Sequence, residues 1–297
     1  MIIQLVKRYP LLTFFLLAYA FSWIVWTTMI AVAAAFQLRY DTYGWPMLWL
    51  TGMWGPSFSA LVITGIGSGK TDVRSLLSRL LHWRVSLQWY LFALLVIPAS
   101  KMLVFFITWL SGSTLLENSR WLALASLIPI FLIFFAYGAP LQEELGWRGY
   151  ALPRLQQHWG ALLGTLILAL LWIGWHFPLF WIPGGPYDIA NQPFIPFLVN
   201  FLAYMLPSTF LFTWLYNNAK GSVLLCMILH AANNTSGSIA SLLGVTNYAQ
   251  FNLINIIVLW LLAIGLVLAT KGRLSWNKGQ KMAQRDWKQT LDTQTQA

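Results

Sequence analysis

Residues 121–148 read WLALASLIPIFLIFFAYGAPLQEELGWR. The first twenty carry no charge, and about 20 apolar residues is the length a helix needs to cross a hydrocarbon core about 30 Å thick. Directly after them stand two adjacent acids, Glu143 and Glu144, with Arg148 four positions beyond the second. The chain has eight acids in all, and the other six fall in predicted connections or in the polar C-terminal segment. A carboxylate costs at least about 2.5 kcal/mol at the centre of a bilayer, so acids placed against such a run point to function.

The rest of the chain has the same character. Of its 297 residues 58% are hydrophobic and 9% charged, against roughly a quarter charged in soluble domains. Eight stretches reach spanning length, near 10–36, 46–66, 87–110, 121–140, 160–182, 194–216, 221–244 and 251–270. They are continuous rather than alternating, which selects helices over a closed barrel. The expected fold is an all-α integral membrane protein of eight transmembrane helices around a polar cavity, with residues 1–270 as the membrane domain and 271–297 as a basic polar tail. No repeat of 20–50 residues and no Gly/Ser linker divides it. Lys7 and Arg8 precede an apolar run of about 25 residues, longer than the 7–15 of a signal peptide, so the first helix is expected to stay. The single cysteine, Cys226, excludes an intrachain disulfide and reads as a small buried apolar residue.

Net charge is +10, and its placement argues against a nucleic-acid partner. Fifteen Lys and Arg residues fall on one side of the expected membrane: Lys7, Arg8, Lys70, Arg74, Arg79, Arg84, Arg148, Arg154, Lys220 and six in the tail. The other side receives two, Arg39 and Arg120, while Lys101 lies within a span. Positive charge collects on the cytoplasmic face, so both termini are expected there, in a multi-pass protein of the cell membrane. Within the connection 67–86, apolar residues at helical spacing from Val73 to Arg84 predict a short interfacial helix. The Pro- and Gly-rich connection 183–193, with Asp188, predicts an ordered outer loop. The 18 tryptophans, many near span ends, predict an interfacial belt.

Three motifs carry the ionisable groups. In Glu-Glu-x-x-x-Arg, Glu144 and Arg148 share one helical face and can pair, while Glu143 is rotated by about 100° and is free to exchange protons. In Trp172-Ile-Gly-Trp-His176, the indole and the imidazole lie one turn apart. In His230-Ala-Ala-Asn-Asn234, histidine and asparagine share a face across small alanines, and such a pair can donate two hydrogen bonds to one oxygen. Alone, each has a plainer reading: a helix start with surface acids, a hydrogen-bonded structural histidine, polar contact between helices.

Together, in this order along the chain, they resemble the CPBP family of intramembrane glutamic endopeptidases, which includes type II CAAX prenyl proteases and bacterial proteins of bacteriocin processing and immunity. The resemblance covers about 120–244 by motif. It implies that Glu143 is the catalytic glutamate and Glu144 the second acid, with Arg148 organising their helix. It further implies that His176 helps to activate water, that His230 and Asn234 stabilise the oxyanion, and that no metal or cofactor takes part. Trp172 stands where the family's second motif often has Phe. The implied substrate is a peptide or prenylated protein at the bilayer, trimmed near a C-terminal Cys-a-a-X, in a cavity expected to open to the cytoplasm. The sequence does not fix the oligomeric state.

Two other readings compete. Glu143, His176 and His230 would suffice as ligands of a catalytic zinc, although the His-Glu-x-x-His spacing of zincins is absent. A peptide-binding immunity protein or a transporter could use the same buried acids and histidines, although no inverted repeat is visible. Hydropathy also sets a geometric difficulty: it places Glu143 at the end of the fourth span and His176 about 15 residues into the fifth, about 22 Å away in depth. Gly138 and Pro140 offer a break that would reconcile them.

Overall fold

The computed structural model describes residues 2–42, 44–112, 120–190 and 192–275. Their regular structure is helical: α1 Ile2–Arg8, α2 Pro10–Phe36, α3 Trp45–Met53, α4 Gly55–Ser68, α5 Lys70–Ser78, α6 Leu87–Leu110, α7 Arg120–Ala123, α8 Leu127–Tyr137, α9 Ala139–Glu144, α10 Leu152–Trp175, α11 Phe194–Asn218, α12 Val223–Ser236, α13 Ile239–Leu242 and α14 Tyr248–Ala269. A π-helical segment, Leu145–Ala151, joins α9 to α10.

Five helical stretches among the described residues are long and apolar enough to cross a bilayer, where eight spans were expected: Pro10–Phe36, Leu87–Leu110, Trp121–Trp181, Phe194–Asn218 and Tyr248–Ala269. Their flanks expose large apolar side chains such as Leu16, Ile24, Leu95, Leu132, Leu170 and Leu261. Exposure on that scale belongs in lipid, and the chain is a multi-pass membrane protein.

The differences from eight uniform spans have local causes. The stretch expected as one span at 46–66 is two helices, because Pro56 has no N–H to continue the ladder. The expected span 221–244 shortens to α12, about 21 Å long, packed among α6, α8, α9 and α11. The expected spans 121–140 and 160–182 belong to one run of 61 residues, far too long to cross once. It breaks twice. Gly138 is extended (φ −86°, ψ −177°) and ends α8. Gly160 takes φ +74°, a backbone open to glycine and strained for other residues. There the chain folds back so tightly that a Cβ on Gly164 would lie 2.9 Å from the backbone of Leu155 and Gln156.

This bend removes the depth difficulty. Glu143 stands 17 residues before Gly160 and His176 16 residues after it, so the two arms return to nearly the same level. Glu143 is not at the end of the fourth span but in the second turn of a new helix.

The Glu-bearing helix is held from three sides. A Cβ on Gly146 would lie 2.4 Å from the Pro56 carbonyl carbon, so α4 and the π segment touch backbone to backbone. Ser57 Oγ donates to the Leu141 carbonyl at 3.0 Å. From the expected interfacial helix, found as α5 with a short 3₁₀ turn Arg79–Leu81, Arg79 Nη1 donates to the Gly149 carbonyl at 2.7 Å. In the expected loop, residues 183–190 are arranged around Asp188, whose carboxylate accepts the backbone N–H groups of Gly184 and Ala190. The expected tail begins as packed chain: Leu274 is fully buried against Phe210 and Ala263, and residues 276–297 lie outside the described residues.

The tryptophan belt is only part of the picture. Trp54, Trp83 and Trp181 are exposed, but Trp26, Trp147 and Trp175 are fully buried and pack edge-on in one cluster. Phe14 of α2 packs edge-on against Trp147 of this cluster, and Trp147 reaches Glu143.

Candidate active site

Successive residues on one helix point about 100° apart, and the two acids accordingly have separate surroundings. Glu144 is fully buried. Its Oε1 accepts from Arg148 Nη1 at 2.9 Å and from His230 Nδ1 at 2.7 Å. The Arg148 guanidinium is in turn held between the Trp172 and Phe212 rings, 4.0 and 4.2 Å from their centroids. Such a sandwich lets a buried guanidinium keep favourable contact where its remaining N–H groups meet no acceptor.

Glu143 faces a cavity of about 580 Å³ that Trp172, His176, His230, Asn233 and Asn234 also line. Its Oε2 accepts two indole N–H bonds, from Trp172 at 2.7 Å and Trp147 at 3.3 Å. Oε1 takes no bond from the described residues. Two donors on one oxygen fix the carboxylate and leave the other oxygen for a third molecule.

The histidines are oriented through Nδ1. His176 Nδ1 lies 2.7 Å from the Trp172 carbonyl, one turn back. A carbonyl only accepts, so Nδ1 carries the proton and Nε2 keeps the lone pair. His230 Nδ1 donates to Glu144, which likewise leaves its Nε2 for the cavity. Next to it Asn233 Nδ2 donates to Asn234 Oδ1 at 3.4 Å, and Tyr204 O–H donates to Asn233 Oδ1 at 2.5 Å. With its oxygen engaged, Asn234 has its amide N–H groups left to give.

The seven residues singled out in the sequence thus come together. Glu143, Trp172, His176, His230 and Asn234 line the cavity, and Glu144 and Arg148 form the buried pair behind it. Trp147 was missed, although it stands at the same i, i+4 spacing from Glu143 that exposes the Glu144–Arg148 pair. Tyr187, Tyr204 and Asn233 were also missed as cavity residues, because nothing in a loop or an apolar span marks a tyrosine or an asparagine as facing a cavity rather than a neighbouring helix. Among the described residues no three His, Cys, Asp or Glu side chains stand together at ligand spacing.

Residues 124–236 match the family described as type II CAAX prenyl endopeptidase, Rce1-like. The chain carries an Rce1-like endopeptidase domain. The matched segment runs from before the break at Gly138 to the end of α12, and so contains all three motifs. Over 265 residues the chain is 24% identical to "CAAX prenyl protease 2" of Methanococcus maripaludis, covering 87% of this chain and 93% of that one. The endopeptidase domain therefore sits within a likeness that extends over nearly the whole membrane region. These matches make the chain a membrane endopeptidase, a hydrolase.

The cavity reaches the surface at the helix ends opposite the basic connections. Its exposed residues are Gln192, Pro193, Pro196 and Asn200 at the start of α11 and Ala249 and Asn252 at the start of α14. These helix starts follow the sparsely charged connections, whereas the basic residues of 67–86 stand at the opposite helix ends. Charge sorts the connections, but it says nothing about which half of a bundle is hollow.

Proposed function

We propose that this chain is a metal-independent glutamic endopeptidase that hydrolyses a peptide bond near the C-terminus of membrane-associated substrates of the prenylated Cys-a-a-X type. The observation that carries the reading is the contrast between the two acids. Glu144 is turned away into Arg148 and His230, while Glu143 is anchored through one oxygen and offers the other to a cavity shared with His176, His230 and Asn234.

In this reading a water stands between Glu143 Oε1 and His176 Nε2, the two free acceptors. Glu143 takes a proton from it as the oxygen attacks the scissile carbonyl carbon. Asn234 Nδ2 and an Nε2–H of His230 donate to the developing oxyanion, the imidazole being held in place by Glu144 on Nδ1. As the C–N bond breaks, Glu143 passes the proton to the leaving nitrogen. No covalent intermediate is needed. The charge asymmetry supports both termini being cytoplasmic and the protein residing in the cell membrane.

The test is cleavage of farnesylated and unmodified Cys-Val-Ile-Met peptides by purified protein, with zinc measured in the same preparation. Release of Val-Ile-Met from the farnesylated peptide by metal-free protein supports the reading. Activity that follows stoichiometric zinc and disappears on its removal overturns the metal-free mechanism.

A further inference from the structure

One charge deep in the bundle has no part in the catalytic arrangement. Lys101 is the fifteenth residue of α6 and is 8% exposed. Among the described residues no carboxylate lies within ion-pair distance of it. Its contact is the ring of Tyr204, whose centroid is 5.6 Å from Nζ. An ammonium inside a membrane bundle is costly, and such residues face cavities and mark ligand paths.

The surroundings of Lys101 belong to the catalytic cavity. Tyr204 lines it, and so does the buried Asn255 of α14. Lys101 lies nine residues from the end of α6, Tyr204 ten from the start of α11 and Asn255 seven from the start of α14, so the three share a level. A buried cation with no carboxylate partner among the described residues, level with these cavity residues on neighbouring helices, forms a site for an anion.

We propose that Lys101 recognises the free C-terminal carboxylate of the substrate peptide, with Asn255 beside it. The inference rests on the endopeptidase reading and adds the feature that makes cleavage terminal. A leaving tripeptide in extended form spans about 10 Å. From Asn234, which would hold the scissile carbonyl, contacts run through Asn233 and Tyr204 to Lys101. The carboxylate three residues beyond the cut then lies beside Tyr204, in reach of the ammonium. A peptide that continues past this point would leave the cation without its partner, which selects C-terminal segments.

The test compares farnesylated Cys-Val-Ile-Met ending in a free acid with the same peptide ending in an amide. Equilibrium binding and turnover are both measured, with the parent protein, Lys101→Met and Lys101→Arg. The parent should bind the acid about 10- to 100-fold more tightly than the amide, the range for one charge-assisted bond. Lys101→Met should lose this preference by weakening the acid alone, and Lys101→Arg should keep most of it. Equal binding of acid and amide by the parent overturns the proposal and needs no variant. Preference that survives in Lys101→Met overturns it as well. Preference in binding without any cleavage would leave Lys101 as the anion site and sink the protease reading instead.

Discussion

At the scale of single residues, the division between the two glutamates has measurable consequences. Glu144, Arg148 and His230 form a chain of buried charge-assisted bonds. Removing one partner of a buried ion pair typically costs about 3–5 kcal/mol, because the other is left without compensation. Arg148→Ala also empties the space between Trp172 and Phe212. Both Glu144→Gln and Arg148→Ala are therefore expected to melt well below the parent in detergent, with Arg148→Ala the lower. Parent-like melting of both would show that the pair carries no stability. Asn234→Ala should behave differently. An oxyanion donor acts only as the carbonyl gains charge, so turnover should fall roughly 100- to 1000-fold with substrate affinity and melting temperature little changed. A large stability loss with normal turnover per folded molecule would make Asn234 a helix-packing residue. The pair Glu144–Arg148 was legible in the sequence from spacing alone. The hydrogen bond from His230 to Glu144 was not, because 86 residues separate them and no local pattern encodes such a meeting.

At the scale of elements, the site depends on two glycines that serve different ends. Gly160 reverses the chain and Gly146 admits the backbone of α4. Gly160→Ala forces a side chain into positive φ, at roughly 1–2 kcal/mol. Gly146→Ala drives a methyl group against the Pro56 backbone, and overpacking of this kind costs about 1–3 kcal/mol. Both variants should lower the melting temperature, and Gly146→Ala should also lower turnover, since it displaces the helix that carries Glu143. Unchanged turnover in folded Gly146→Ala would mean that α4 does not position the acid. Hydropathy showed that residues 121–182 are helical and apolar but not that they fold back, since Gly160 looks like any small residue in a span. Gly138 and Pro140 did signal the first break. The shortness of α12 was hidden because apolar residues continue past Ser236 into the following turn and α13.

At the scale of the whole molecule, the basic connections stand at one end and the mouth of the cavity near the other. This predicts opposite sidedness for two engineered cysteines. Cys226 is buried and gives little background, so Gln192→Cys and Lys70→Cys can be labelled in intact cells with a membrane-impermeant maleimide. Gln192→Cys should react from outside and Lys70→Cys only after lysis, and labelling of both from the same face would contradict the topology. That the chain is helical and that the seven candidate residues meet was legible because polar and charged groups are so rare in its apolar segments that each instance stands out. Span count was not, since it depends on how the helices pack and fold back. The central claim remains that the Glu143 carboxylate performs the hydrolysis. It is tested most directly by Glu143→Gln, purified alongside the parent and assayed on the farnesylated peptide with release of the tripeptide followed by mass. The amide keeps the shape but cannot take the proton from water, so turnover should fall by about 100- to 10,000-fold at an unchanged melting temperature. Near-parent turnover by folded Glu143→Gln would contradict the account.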